Sequence, residues 1–268
     1  AALVGRSLDR TNDRLCRLYH AGYLDRPRAQ LDYYPTAGST PIAYALADRG
    51  ARLIAERDGN ALAHLDWSRK NREAGRPFIE HQLEIIDFRV GLQRAADARG
   101  DIEIIHPAEL AATMPVATRN ARDPFAMHVR ISADGIMHDI GLVPDFAFGL
   151  RFSDGSRRCF LVEIDRGTMP VIRSNISQTS FQRKMRAYLT AQATRLHERQ
   201  FGWNAFRVVT VTTDASRLQS MTDAARRLYI AGSLGAPLFL FATRSQSHDA
   251  DPLNITWTDG AGRALRLA

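Results

Sequence analysis

The alternation of apolar and polar residues is most regular between Val143 and Tyr188. Apolar residues recur at every second position from Phe146 to Phe152 and again from Phe160 to Ile164, which is the spacing of β-strands. Asp154-Gly155 lies between the two runs and favours a tight turn. The pattern therefore predicts a β-hairpin whose apolar side chains share one face.

The opposite face of this hairpin carries acidic residues. Strand alternation places Asp145, Glu163 and Asp165 there, within about 4.5–8 Å of one another. Carboxylates this close raise each other's pKa unless a cation lies between them, and their hard oxygen atoms suit Mg²⁺ or Mn²⁺. Asp145 and Glu163 are the predicted metal ligands. The alternative is that Asp145 only begins a strand after Pro144 and that Asp165 only forms a turn.

A long amphipathic helix is predicted before the hairpin, from Phe78 to about Arg99. Ile79, Leu83, Ile86 and Val90 recur at helical spacing, so we expect them to form its core face.

The remaining apolar runs predict alternating strands and helices. Met127–Ile131 is expected to pair at the sheet edge. With the hairpin, the order from Phe78 onward is α, β, β, β, α, β, α, β. The further predicted elements are strands at 102–106, 206–211 and 237–242, helices at 178–200 and 216–231, and a final hairpin at 254–267.

This region resembles the PD-(D/E)xK nuclease fold, through Pro144-Asp145 and Glu163-Ile164-Asp165. The resemblance implies a restriction-endonuclease-like αβββαβ domain in which Asp145, Glu163, Asp165 and a lysine are catalytic with Mg²⁺ or Mn²⁺. The family's lysine stands two residues after the glutamate, where this chain has Asp165. Lys184, on the following helix, is expected to replace it; otherwise it is a solvated helix lysine.

Other positions in the resemblance are accessory. Tyr188 lies four residues after Lys184 and therefore on the same helix face, similar to a Q-x-x-x-Y element of some members. A glutamate of the first helix can join the metal site in this fold, which indicates Glu80 or Glu84. His81 could contact a phosphate. The alternative for these first-helix residues is a solvated face.

The N-terminal pattern is typical of a winged helix-turn-helix. Ser7 is a predicted N-cap for a recognition helix over 8–20, and residues 24–46 would form the wing, with the domain's first helix expected before Ala1. The predicted DNA contacts are Arg10, Arg14, Arg17, Arg26 and Arg28. The alternative is a basic helical hairpin that packs on the next domain or binds protein.

Composition agrees with a nucleic-acid partner without requiring one. The chain of 268 residues has a formal net charge of +7 and 45% hydrophobic residues, enough for a core. Cys16 and Cys159 lie far apart without C-x-x-C spacing, which favours a reducing cytoplasm, and no apolar run is long enough for a membrane span. The predicted organisation is a partial winged-helix domain at 1–57, a linker at 58–77 and the nuclease-like domain at 78–268.

Most of residues 10–240 also resemble the replication-relaxation family of bacterial plasmid and mobile-element proteins. The segments that carry this resemblance are 22–24, 33–34, 48–50, 81–88, 143–146, 162–168 and 184–188. The resemblance implies a role in plasmid replication, DNA relaxation or conjugative transfer.

The combined expectation is an α+β protein that binds double-stranded DNA and other plasmid replication or transfer proteins. Its nuclease-like domain would cleave phosphodiester bonds with Mg²⁺ or Mn²⁺. The alternative from another class is a non-catalytic initiator or transcriptional regulator with a degenerate nuclease-like domain. A protein-binding adaptor, which would show no salt-sensitive DNA affinity, is a second alternative.

Overall fold

The computed structural model describes residues 3, 5–30, 41–57, 66–133, 135–229, 238–248 and 251–268. The chain divides into two compact units, Ala1–Glu84 and Ile85–Ala268, and the division falls within one long helix. Helices accompany a mixed sheet, so the fold is α+β as predicted.

The first unit begins with a capped helix followed by a short antiparallel strand pair. Its elements are α1 (Leu8–His20), β1 (Leu24–Asp25), β2 (Ala45–Leu46), α2 (Asp48–Arg57), α3 (Trp67–Glu73) and the start of α4 (Arg76–Asp97). The Ser7 hydroxyl accepts the amide of Arg10 at 3.4 Å, which confirms the predicted N-cap. Leu24 pairs with Leu46 where the base of a wing was predicted, and residues 31–40 of that wing lie outside the described residues.

Helix α3 lies within the stretch predicted as a linker and is hydrogen-bonded to the first unit. Asp48 Oδ1 accepts the backbone amides of Trp67 and Ser68 at 2.6 and 3.1 Å. Asn71 Nδ2 donates to the carbonyl of Leu46 at 2.9 Å. Asp48 and Asn71 therefore hold α3 against β2 and the start of α2.

The second unit is built on a mixed sheet. After α4 its elements are β3 (Ile102–Ile105), α5 (Pro107–Ala112), α6 (Val116–Arg119), β4 (Met127–Ala133), β5 (Ile136–Leu142), β6 (Phe146–Phe152), β7 (Arg157–Ile164), α7 (Phe181–Ala193), α8 (Leu196–Phe201), β8 (Arg207–Thr212), α9 (Ala215–Leu228), β9 (Phe239–Thr243), α10 (Arg244–His248), β10 (Trp257–Asp259) and β11 (Ala264–Leu265). The strand order is β11-β10-β9-β8-β7-β6-β3. β6 is antiparallel to β3 and β7, whereas β7, β8 and β9 are parallel.

The predicted central hairpin is confirmed. Phe146 pairs with Val162 and Phe148 with Phe160 across β6 and β7. Gly155 has a φ of +81°, a conformation that glycine adopts without steric cost, and this explains why the turn lies there. The alternate residues of both strands point to opposite faces of the sheet, as the sequence pattern indicated.

Each face of the sheet has its own core. Phe148, Phe160 and Val162 pack on one face with residues of α4 and β10. Ala147 and Leu161 pack on the other face with α7 and α9. The end of β7 that carries Glu163 therefore lies beside α7, which the core on this face holds in place.

The predicted core face of α4 was only partly correct, because Ile79 is buried as predicted but Leu83 is 41% exposed. Ile86, expected in the core, is 48% exposed, whereas Ile85, Phe88 and Leu92 are buried. Two apolar stripes overlap on this helix, and the bulky Phe88, which packs edge-on against Trp257, belongs to the stripe that faces the sheet.

The predicted edge pairing of Met127–Ile131 was also wrong. Strand β4 pairs with β5 in a separate two-stranded sheet, with Val129 opposite Ile140. Its buried alternate residues, Met127 and Ile131 among them, pack in the same core as Met185 of α7. The hairpin thus covers a helix instead of extending the main sheet. The final predicted hairpin is confirmed, because β10 and β11 are antiparallel at the far edge.

Within the described ranges, no helix is long and apolar enough to cross a membrane.

Candidate active site at the end of the central hairpin

Asp145 and Glu163 lie close together where the two strands of the central hairpin begin and end. Asp145 directly precedes β6, and Glu163 lies in β7 between the two residues whose backbone Asp145 contacts. The amide of Asp145 donates to the Val162 carbonyl at 2.9 Å, and Asp145 Oδ2 accepts the amide of Ile164 at 2.6 Å. One carboxylate oxygen of Asp145 therefore binds the backbone at the end of β7, next to Glu163.

Both oxygens of Glu163 accept hydrogen bonds from α7. Lys184 Nζ lies 2.6 Å from Oε2, and the hydroxyl of Tyr188 donates to Oε1 at 2.7 Å. The two donors are four residues apart and so share a helix face, as predicted. Glu163 is only 3% exposed, and the structure brings it together with both helix residues that the sequence had indicated.

Helix α7 is positioned by its cap and by its core residues. The Ser180 hydroxyl accepts the amide of Arg183 at 3.2 Å, which satisfies one of the amides at the start of the helix. Met185 and Ala187 are buried against the sheet. These contacts fix the rotation of the helix and direct Lys184 and Tyr188 toward β7.

The electrostatics of the cluster favour a charged lysine and a neutral tyrosine. Burial raises the pKa of Glu163; the Lys184 ammonium opposes this and the Asp145 carboxylate adds to it. Burial is the largest single influence and acts to lower the pKa of Lys184, but the charge and hydrogen bond of Glu163, with the charges of Asp145 and Asp165, together outweigh it, and the pKa lies above its usual range. Burial, and then the Glu163 charge, raise the pKa of Tyr188 well above its usual value. Lys184 is thus a fixed cation, with its side chain 29% exposed.

Asp165 is held by a different partner from Glu163, and a catalytic role for it beside Asp145 and Glu163 stays a prediction. Arg217 of α9 binds it with two parallel bonds, from Nε to Oδ2 at 2.5 Å and from Nη2 to Oδ1 at 2.8 Å. The Thr212 hydroxyl also donates to Oδ2 at 2.7 Å. Asp165 is only 8% exposed and its bonds are those of a structural ion pair.

The chemistry of the donor set limits which ion could bind. In the portion of the chain that the structure describes, no group of three or more His, Cys, Asp or Glu side chains is arranged to hold a metal. Asp145 and Glu163 remain as two hard carboxylates. Mg²⁺ commonly keeps several waters and uses only one or two protein carboxylates, so these two acids fit it. The described residues do not form a closed protein cage around an ion.

The accessory acids lie on the first part of α4. Glu80 accepts a hydrogen bond from Arg76 at 3.1 Å on the helix surface. His81 and Glu84 follow on the same helix within the first unit. A role for these three residues in the site stays a prediction.

The arginines predicted to contact DNA differ in their surroundings. Arg10, Arg14 and Arg17 are exposed on α1 at i, i+4 and i+7, hence on one side of the helix, and Arg17 pairs with Asp13 at 2.8 Å. Arg28 is exposed.

Arg26, by contrast, packs inside the first unit. Its guanidinium lies 4.2 Å from the ring centroid of Tyr19 and donates to the Tyr44 hydroxyl at 2.7 Å. These contacts tie α1 to the strand region, which accounts for Arg26 by packing. A DNA contact for it stays a prediction.

The sequence pattern did not identify Arg217 or Thr212. A signal was nevertheless present: Thr212 ends β8 and Arg217 lies in the first turn of α9, and because β8 is parallel to β7 the ends of the two strands meet at one edge. A residue in the first turn after β8 was therefore placed to reach Asp165.

A family model described as replication-relaxation matches residues 1–205. The chain belongs to the replication-relaxation family. Asp145, Glu163, Lys184 and Tyr188 lie within the matched residues, whereas Arg217 lies beyond them.

Membership of the replication-relaxation family suggests a function related to plasmid replication or relaxation. No curated protein and no solved structure matches the chain.

Proposed function

We propose that this replication-relaxation protein binds double-stranded DNA of plasmids or other mobile elements and cleaves a phosphodiester bond with a divalent ion. The observation that carries the proposal is the 2.6 Å contact between Lys184 and Glu163, with Asp145 hydrogen-bonded to the backbone on both sides of Glu163. A carboxylate pair beside a lysine is the donor set that metal-dependent phosphodiester cleavage needs. The strand order β3-β6-β7-β8, with β6 antiparallel to the others, is consistent with a nuclease-like domain.

Asp145 and Glu163 would hold Mg²⁺ or Mn²⁺, with water as the other ligands. The bound ion would lower the pKa of an attacking water and neutralise charge on the phosphate. Lys184 is already a cation at neutral pH and would stabilise the negative charge that develops on the phosphate. Tyr188 would orient Glu163 through its hydrogen bond to Oε1.

The first unit would supply DNA binding as a winged helix-turn-helix. The support is the exposed side of α1 with Arg10, Arg14 and Arg17, followed by the β1–β2 pair at the base of the predicted wing. A helix with three arginines on one side suits a duplex because each guanidinium can bind a phosphate or a guanine edge. Action on DNA, together with two free cysteines, supports the cytoplasm as its compartment.

Nicking of supercoiled plasmid with Mg²⁺ or Mn²⁺ tests this function. We expect nicking by the parent chain and its loss in Asp145→Asn, Glu163→Gln and Lys184→Met. Asp139→Asn is the matched control, because Asp139 is an exposed acid paired with Arg130 on the β4–β5 hairpin. Nicking that persists in all three site variants would place the activity elsewhere.

A non-catalytic initiator or regulator is the second candidate. The observation that favours it is that protein donors already occupy both oxygens of Glu163, and Arg217 occupies those of Asp165. For this candidate we expect salt-sensitive DNA binding, no nicking, and no heat of Mn²⁺ binding by calorimetry. If salt-sensitive DNA binding is also absent, both proposals fail and the protein-binding adaptor gains support.

A further inference from the structure

A basic cavity lies at the start of α7. Its volume is about 200 Å³, well above the roughly 10–15 Å³ that one buried water requires. Its lining includes Arg173, Arg183 and Arg186, with Ser174, Ser180 and Gln182. Three guanidiniums around one cavity repel each other unless an anion is present.

The described residues supply no such anion. Among them, no carboxylate forms an ion pair with Arg173, Arg183 or Arg186, and Arg173 Nη1 donates only to the neutral Gln178 side chain at 2.8 Å. Nε of Arg183 is buried without a hydrogen-bond partner. Since a buried donor without a partner is costly, the cavity is electrostatically incomplete.

This cavity is separate from the Glu163 cluster. Successive residues of a helix are about 100° apart, so Arg183 and Arg186 lie on a different side of α7 from Lys184 and Tyr188. The first amides of the helix are also engaged, since Phe181 and Gln182 donate to the carbonyls of Pro170 and Val171. The ligand would therefore be bound by side chains and not by the helix terminus.

We propose that the Arg173–Arg183–Arg186 cavity binds a phosphate group. The planar guanidinium presents paired donors that match phosphate oxygens, which a lysine or an amide does not. The phosphate would come from a nucleic-acid backbone, and in this respect alone the inference rests on the proposed DNA binding. A free phosphate or nucleotide is the other source with the same chemistry.

The test compares two variants of equal charge change. The double variant Arg183→Gln/Arg186→Gln removes two of the guanidinium groups that line the cavity. The control, Arg122→Gln/Arg227→Gln, removes two exposed guanidinium groups, one from a loop and one from α9. Affinity for a short DNA duplex is measured across salt concentrations without divalent ions, so that cleavage cannot contribute. Calorimetry with inorganic phosphate and with a deoxynucleoside monophosphate gives the second arm, and thermal unfolding checks that both variants fold.

If the cavity binds backbone phosphate, only the cavity variant loses duplex affinity, by about tenfold, and its slope of log K against log salt falls by about one unit for each lost contact. If it binds a free ligand, only the monophosphate or phosphate heat is lost. Equal behaviour of the two variants in every arm overturns the proposal. Loss of nicking with this binding intact would instead remove the cleavage proposal and leave the cavity assignment standing.

Discussion

Lys184 reaches Glu163 from the helix that follows the strand, so that an ammonium lies 2.6 Å from a carboxylate that is almost fully buried. The strand position where the nuclease pattern has its lysine is Asp165, which pairs with Arg217 instead. Two ion pairs therefore lie at the end of β7. Lys184 of α7 pairs with Glu163, and Arg217 of α9 pairs with Asp165.

Replacing Lys184 by methionine should lower the free energy of unfolding by about 3 kcal/mol, because the buried Glu163 would lose its cation. Urea denaturation measures the change. The other lysine of the chain, Lys70, lies exposed on α3, and Lys70→Met is the matched control. Adding Glu163→Gln to Lys184→Met should recover part of the loss, since the two residues interact directly. Equal stability of the Lys184 and Lys70 variants would show that the ion pair does not form in solution.

Replacing Arg217 by methionine should also cost about 3 kcal/mol of unfolding free energy, since Asp165 is buried and bound by both guanidinium bonds. Arg227→Met, at an exposed position of the same helix, should change it little.

The same structural role predicts that Asp165→Asn lowers stability without weakening Mn²⁺ binding by the folded protein, whereas Asp145→Asn abolishes that binding. Calorimetry with Mn²⁺ distinguishes the two. A loss of Mn²⁺ affinity in folded Asp165→Asn would mean that Asp165 is a ligand after all.

Ser180→Ala should lower the free energy of unfolding by about 1 kcal/mol, because the α7 cap would lose the side-chain acceptor for the Arg183 amide. Ser177→Ala is the control, since Ser177 is exposed and its backbone amide, not its hydroxyl, donates to the Asn175 side chain. Chemical denaturation of both variants gives the comparison. A Ser180 variant as stable as the Ser177 variant would contradict the cap.

Stability should fall as the pH rises above about 10. Tyr188 and Lys184 both have folded pKa values above their unfolded ones, so the unfolded chain releases these protons first. Each group then reduces the free energy of unfolding by about 1.4 kcal/mol per pH unit until its folded pKa is reached. Tyr188→Phe should make the decline shallower by about this amount, as measured by denaturation between pH 9 and pH 12. An unchanged slope would show that Tyr188 ionises equally in both states.

Local patterns were sufficient to predict the part of the fold that carries the site. The period of two and the Asp154-Gly155 turn fixed the hairpin, and with it the positions of Asp145 and Glu163. The four-residue spacing of Lys184 and Tyr188 indicated a shared helix face, and both residues bind Glu163. These features depend on neighbours in sequence, which is why they could be inferred.

Features that depend on distant packing could not be inferred in this way. The Asp165–Arg217 pair joins residues 52 positions apart and requires the parallel alignment of β7 with β8. Two apolar stripes run along α4, and only the stripe that fits the sheet is buried. Phe88 belongs to that stripe, whereas Ile86 is exposed. The packing of the β4–β5 hairpin against α7 was likewise not local, although its pairing was, since Ala133 pairs with Ile136 and only Asp134-Gly135 separates them in the sequence.

The family match ends at residue 205, two positions before β8 begins. A chain cut there would leave β7 as an open edge, with a row of backbone groups that β8 normally pairs and the apolar side chains Leu161 and Val162 beside it. Such an edge is a template for association with other chains. Among the described residues the sheet instead ends in β11, which is only two residues long. The stretch outside the family match therefore protects the site-bearing strand from aggregation, and the boundary of sequence similarity is not a boundary of folding.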